Sequence, residues 1–152
     1  MRRYFTVDQA QGLLTEITES LNRIKALHEV HKQAAEEIQE TARRVVQLGG
    51  VRIDLQRLAA LKNRRDSSAV HIKEALESIQ SHGCVVKDLD AGLIDFPALF
   101  KGKEVYLCWQ LGERGIGYWH GLEEGFRGRK LIDRDFLAHH KPHKPGTDGT
   151  FS

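Results

Sequence analysis

Proline is absent from the first 82 residues, which hold only three glycines, Gly12, Gly49 and Gly50. All three prolines and the other eleven glycines lie from Gly83 onward. That break in texture predicts a helical first half and a strand-and-turn second half. Cysteine is scarce. Cys84 and Cys108 are too few for a disulfide scaffold and form no CxxC pair, so reduced thiols in a cytoplasmic protein are expected. Uncharged apolar runs stay far below the roughly 20 residues that cross a bilayer, so no membrane association is expected. The opening Met1-Arg2-Arg3-Tyr4-Phe5-Thr6 has no apolar run behind its basic pair, so export is not expected either. No charge of one sign dominates. A net +2 over 152 residues gives no ground for nucleic-acid binding. No GxSxG, phosphate loop, HExxH or dinucleotide fingerprint occurs, and Gly115-Ile116-Gly117 is not followed by a helix.

What is present is enough for one ordinary domain with a core, since 40% of the residues are hydrophobic. Thr6 followed by Gln9 is a capping-box pattern, with Phe5 in the staple position. From there a seam with alternating steps of three and four runs through Val7, Ala10, Leu14, Ile17, Leu21, Ile24, His28, His31, Ala35, Ile38, Ala42 and Val45. Such a sustained repeat is coiled-coil-like. Gly49-Gly50 turns the chain. A second seam follows through Val51, Leu55, Leu58, Lys62, Arg65, Ala69, Ile72, Leu76 and Ile79, and the polar run Lys62–Ser68 is where that helix is expected to loosen.

A first helix of about 40 residues would be ~60 Å long, against ~40 Å for a compact globule of this mass. The flanking Leu13, Leu27, Ala34, Val46 and Leu61 widen the apolar stripe beyond what two helices cover. A homodimer through the hairpin, built as a four-helix bundle, is therefore expected.

In the second half, residues 84–89 read as a short strand. Residues 104–111 form the clearest strand, with Val105, Leu107, Trp109 and Leu111 alternating on one face. Gly112–Gly115 reads as a hairpin turn, returning through residues 116–120. If Leu111 pairs with Ile116, Leu107 faces His120, and Trp119 lies on the other face with Cys108 and Tyr106. The expected class is thus α+β: a long antiparallel helical hairpin (1–82), a small antiparallel β-sheet module at its base (83–136), and a flexible C-terminal tail (137–152).

The run Lys87-Asp88-Leu89-Asp90-Ala91-Gly92-Leu93-Ile94-Asp95-Phe96-Pro97-Ala98-Leu99 is distinctive. So are Leu107-Cys108-Trp109-Gln110-Leu111-Gly112-Glu113, Tyr118-Trp119-His120, Gly125-Phe126 and the opening Tyr4-Phe5-Thr6. Together they resemble domain-of-unknown-function family 2203, an uncharacterised prokaryotic family. The resemblance implies a helical hairpin followed by a small β module. It implies no activity, substrate or catalytic residue.

Several residues invite a chemical reading. Asp88, Asp90 and Asp95 lie within eight residues and carry oxygens suited to a hard divalent cation. The EF-hand reading fails because Leu99 stands where the bidentate Glu belongs. Ordinary roles compete: Asp90 before Gly92 is turn chemistry, and Asp95 before Phe96-Pro97 is a helix N-cap. His120 with Asp88 and Asp95 is the sharper metal or acid–base set, against a histidine bonded to backbone at the core edge. Glu113 and His120 are expected more than ~15 Å apart, at strand rise, and to act separately. His28, His31 and His71 would share one level of the helical bundle, as a zinc site or as a polar layer. Cys84 and Cys108 have no activating neighbour in sequence and read as buried thiols. Arg43, Arg44, Arg52, Arg57, Lys62, Arg64 and Arg65 are diluted by Glu36, Glu37 and Glu40, as on a solvated face. His139, His140 and His143 would bind nickel or zinc adventitiously.

The expected function is a homo-oligomeric interaction or binding module without catalysis. It would present Asp88, Asp90, Asp95, Glu113, Trp119 and His120 to an unidentified protein or small molecule. The alternative is a small metal-dependent, hydrolase-like enzyme using Asp88, Asp95 and His120.

Overall fold

The computed structural model describes residues 2–49 and 52–141. Its elements are α1 (Val7–Gln11), α2 (Leu14–Leu48), α3 (Leu55–Gln80), β1 (Val85–Asp88), β2 (Leu93–Phe100), β3 (Lys103–Gln110), β4 (Tyr118–Gly121), a 3-10 turn (Phe126–Gly128), β5 (Lys130–Leu131) and α4 (Arg134–His139). The described residues divide into two compact units, one lying within 19–78 and one formed by 2–18 with 79–141. No helix among the described residues is long and apolar enough to cross a membrane.

In the helical unit α2 packs with α3, and Arg57 reaches Glu37 at 2.9 Å. Ala34, Leu61 and Ser68 are buried. The seam follows the predicted period with a shifted phase in the middle. Leu27, Ala34 and Thr41 turn inward, whereas His28 and Ala42 are exposed. Steps of three and four are both compatible with the repeat, so the facing helix decides which of two neighbouring residues turns inward. The expected loosening at Lys62–Ser68 does not occur, because α3 is continuous. Ser68 stays inside by returning its hydroxyl to the Arg64 carbonyl at 2.5 Å. Val51 and Gly50 lie outside the described residues.

The sheet unit opens on the predicted capping box: Thr6 Oγ1 accepts from Gln9 N, and Gln9 Oε1 accepts from Thr6 N. The first helix is interrupted, however. α1 ends at Gly12, and α2 begins at Leu14.

Five antiparallel strands follow in the order β1-β2-β3-β4-β5. β2 replaces the expected Asp95-capped helical turn. Its Ile94, Phe96 and Ala98 alternate into the core, which is strand periodicity. Pro97 is tolerated because β1 pairs only as far as Val85↔Asp95. Beyond that point β2 has a free edge on that side, and the Pro97 carbonyl there accepts from Phe5 N at 2.7 Å. Lys101 (φ 50) and Gly102 (φ 78) both sit in the left-handed region, as a tight two-residue hairpin between β2 and β3 requires.

The β3–β4 register differs from the expected one by one residue. Tyr106 pairs with His120, Leu107 with Trp119 and Cys108 with Tyr118. The turn is longer than four residues: Leu111 N donates to Gly92 O at 2.9 Å, and Ile116 N donates to Gln11 Oε1 at 3.3 Å. With both ends held elsewhere, Leu111 cannot pair with Ile116, and a one-residue slip exchanges the faces. One face now carries Phe96, Leu107 and Trp119 in a row, with Ile94 and Trp109 in the next. It packs against Phe5, whose ring meets Phe96 edge-on at 5.3 Å, and against Phe136, 5.0 Å from both Phe100 and Trp119. The other face carries Val85, Asp95, Cys108 and Tyr118 in one row and Pro97, Tyr106 and His120 in the next.

The flexible tail was expected from about Leu137. Leu137–His139 instead belong to α4, which Asp133 caps through Phe136 N at 2.9 Å and which buries Phe136. His143 lies outside the described residues.

Candidate functional site

The site lies on the sheet face away from Phe5. Asp95 on β2 and His120 on β4 flank β3, and Cys108 stands between them as the cross-strand partner of Asp95. All three are buried, with relative exposures of 2% for Asp95, 1% for Cys108 and 3% for His120. One ligand atom from each lies within 4.8 Å of the other two.

Hydrogen bonding fixes the imidazole. Nδ1 of His120 lies 2.8 Å from the Gly121 carbonyl, which only accepts, so Nδ1 carries a proton. Nε2 is 3.1 Å from Asp95 Oδ2. A neutral imidazole tautomer would aim a lone pair from Nε2 at a carboxylate oxygen. Two acceptors facing each other require a cation between them, either a proton or a metal ion. The second carboxylate oxygen, Asp95 Oδ1, is buried without a hydrogen-bond partner. Burial and then the negative charge of Asp95 push the Cys108 thiol up to about 11, while the Arg129 guanidinium pulls the other way. At neutral pH Cys108 is therefore a thiol, and only a bound cation would convert it to thiolate.

Arg129 is held on three sides. Its guanidinium meets both oxygens of Glu113 at 3.0 Å, and its carbon stands 3.8 Å from the Tyr118 ring centre and 4.2 Å from that of Phe126. Glu113 also accepts from Gln110 N at 2.7 Å. Glu113 and Arg129 thus form a fixed pair beside Cys108.

A cavity of about 260 Å³ opens over Asp95 and His120. Leu93, Tyr106, Leu122 and Phe126 supply its walls, and Lys87 and Glu124 its charges. The Lys130 hydrogen bond and the Gly121 N–H hold Glu124 below the usual carboxylate range.

Of the residues singled out from sequence, Asp95 and His120 come together. Asp88 does not join them: it is exposed, and its Oδ1 accepts from Ala91 N at 3.0 Å in the β1–β2 turn. Asp90 is exposed in the same turn. Glu113 reaches the site only through Arg129. Trp119 lies on the opposite, core-side face. His28 is exposed, His31 and His71 are half-buried, and they form no ligand cluster among the described residues. Cys108 and Arg129 were missed. The signal for Cys108 was its pairing with Asp95, invisible until residues 93–100 are read as a strand.

The family described as an uncharacterized conserved protein, DUF2203, matches the chain over residues 3–132. No curated protein and no solved structure matches it.

Proposed function

The chain belongs to the uncharacterised conserved protein family DUF2203, a name that carries no activity, and from the site we propose that the sheet unit is a metal-binding module holding a zinc-type divalent ion on Asp95, Cys108 and His120. The observation that carries this reading is the convergence of Asp95, Cys108 and His120, all buried, with one ligand atom of each within 4.8 Å of the other two, beside an Asp95 Oδ1 that has no hydrogen-bond partner. A histidine that donates its other ring N–H to a backbone carbonyl is oriented as metal-ligating imidazoles usually are.

The donor set selects the ion. A thiolate, an imidazole and a single carboxylate suit zinc or a neighbouring transition ion, not the oxygen-demanding calcium or magnesium that the aspartate run alone would favour. Arg129 favours the thiolate form of Cys108, and Glu113 holds Arg129 in place. Three protein ligands leave a fourth position for water or a ligand, the arrangement of zinc centres that do chemistry. This is the coordination on which a small metal-dependent enzyme would rest.

The test uses untagged full-length protein, dialysed against zinc and measured by elemental analysis. One ion per chain is expected, lost in His120→Ala and in Cys108→Ser but retained in His139→Ala, which removes an exposed imidazole at the end of α4. Cobalt loading should give a thiolate-to-metal absorption band that Cys108→Ser abolishes. Equal metal content in wild type and both site variants would refute the centre.

A second reading concerns the helical unit. Val46, Leu48 and Leu55 are 83%, 63% and 72% exposed. Coiled-coil self-association as a homodimer would cover them. Sedimentation at micromolar concentration should then give the dimer mass, and Val46→Glu with Leu55→Glu the monomer mass.

A further inference from the structure

The charges around the cavity do not cancel, and the excess is positive. Asp95 and His120 face each other at 3.1 Å and, counted with the one cation their contact calls for, balance each other. Glu124 is engaged by Lys130 at 2.7 Å and by the Gly121 N–H at 3.0 Å. Lys87 has no carboxylate within ion-pair distance among the described residues, and its ammonium sits 5.3 Å from the Tyr106 ring centre. The Tyr106 hydroxyl accepts from Arg2 at 2.9 Å, and its own O–H has no acceptor among the described residues. One ammonium and one hydroxyl donor are thus free to serve an anion.

The rest of the cavity is apolar. Leu93, Leu122 and Phe126 form the walls, and Leu122 is 51% exposed. A volume of about 260 Å³ falls just below the ~300–1,000 Å³ of pockets for drug-sized ligands. A bare phosphate would leave the apolar walls unfilled, and a polyanion would find only Lys87 not already paired with a carboxylate, since Arg2 pairs with Glu104 and Lys130 with Glu124. The matching ligand has one negative group and a short apolar body.

We propose that this cavity binds a small monocarboxylate, aromatic or branched-chain, whose carboxylate lies between Lys87 and the Asp95–His120 cluster and whose apolar body lies against Leu93, Leu122 and Phe126. The inference rests on the metal reading for one element only: with the ion in place, the carboxylate takes its open fourth position. Lys87 and Tyr106 then stabilise the charge that the ion does not. Glu124, held by Lys130, bounds the cavity and disfavours a second anionic group on the ligand.

Calorimetric titration of full-length protein decides this, with benzoate as the probe and benzyl alcohol and inorganic phosphate as controls, in zinc-loaded and metal-free samples. Benzoate should bind at one saturable site, at least tenfold tighter than benzyl alcohol or phosphate, and tighter in the zinc-loaded form. Lys87→Met should weaken it tenfold or more. Leu122→Trp should abolish it by filling the cavity. Both substitutions are at exposed positions, so folding is retained and can be verified by circular dichroism. No saturable benzoate binding in either form, equal affinity for phosphate, or unchanged affinity in both variants would overturn the proposal. If zinc fails to bind stoichiometrically, the metal reading falls. The metal-free titrations of wild type and variants still decide the carboxylate site.

Discussion

Asp95 and Cys108 are cross-strand partners between β2 and β3, and that pairing puts a carboxylate beside a thiol with His120 reaching across from β4. The cluster is therefore a property of register. A single-residue slip of β4 would send His120 to the core face and bring Trp119 to the site.

The first prediction concerns the buried Asp95–His120 pair. Removing one member leaves the other buried and uncompensated, which typically costs ~3–5 kcal/mol. Asp95→Ala and His120→Ala should each lower the unfolding free energy of metal-free protein, measured by urea denaturation, by an amount in that range. The double variant should lose clearly less than the sum, because the second change removes the stranded partner. Additive losses would mean that the two side chains do not interact.

The second prediction separates Arg129 as a shaped group from Arg129 as a charge. It holds both oxygens of Glu113 while lying between Tyr118 and Phe126. A lysine keeps the charge but cannot make the paired bonds or the stacked contact. Arg129→Lys should therefore destabilise by ~1–3 kcal/mol, close to Arg129→Met. It should also weaken cobalt binding in the thiolate band, whereas Arg127→Lys should change neither. Full rescue by lysine would reduce Arg129 to a general electrostatic contribution.

Much of the fold was legible from local signals. The capping box of Thr6 and Gln9, the alternation along residues 104–111 and the helical period through Ile17, Leu21 and Ile24 each report a local preference that the folded chain keeps. The misses share a cause: each was decided by a residue far away in sequence. Pro97 looks like a helix start until Phe5 N–H is seen bonding its carbonyl. The β3–β4 turn looks tight until Gln11 holds Ile116. His28 and Leu27 compete for one seam position, and only the facing helix chooses between them. Asp95 and His120, which the structure brings together at 3.1 Å, could be singled out because their chemistry is visible one residue at a time. The place of Cys108 beside them depends on a cross-strand pairing and was not legible.

The third prediction follows from the last helix. Val7 N–H, at the start of α1, donates to His140 Nε2 at 3.1 Å, while His140 Nδ1 faces the Leu137 carbonyl at 2.9 Å. The ring, 3% exposed, also stacks on Phe136 at 5.4 Å. It therefore ties the end of α4 to the first turn of α1. His140→Ala leaves a helix N–H unsatisfied and should cost ~1–3 kcal/mol in chemical denaturation. His139→Ala, at an exposed neighbour, should stay within ~0.5 kcal/mol of wild type.

The fourth prediction uses both thiols. Burial pushes Cys84 up to about 11, and burial with the charge of Asp95 does the same for Cys108. In the unfolded chain each ionises near pH ~8.5. Between that value and about 11 the unfolded state holds fewer protons than the folded one, so stability falls as pH rises. Below pH ~8 both states keep their thiol protons and the term vanishes. The urea midpoint of metal-free protein should therefore drop between pH 7.5 and 10 more steeply than that of the Cys84→Ala, Cys108→Ala double variant measured alongside. In native protein at pH 8, a thiol reagent should modify neither cysteine at a rate approaching that in denaturant, where both should react. A fast native reaction at Cys108 would mean a preformed thiolate, and with it a nucleophile in place of a buried thiol awaiting a cation.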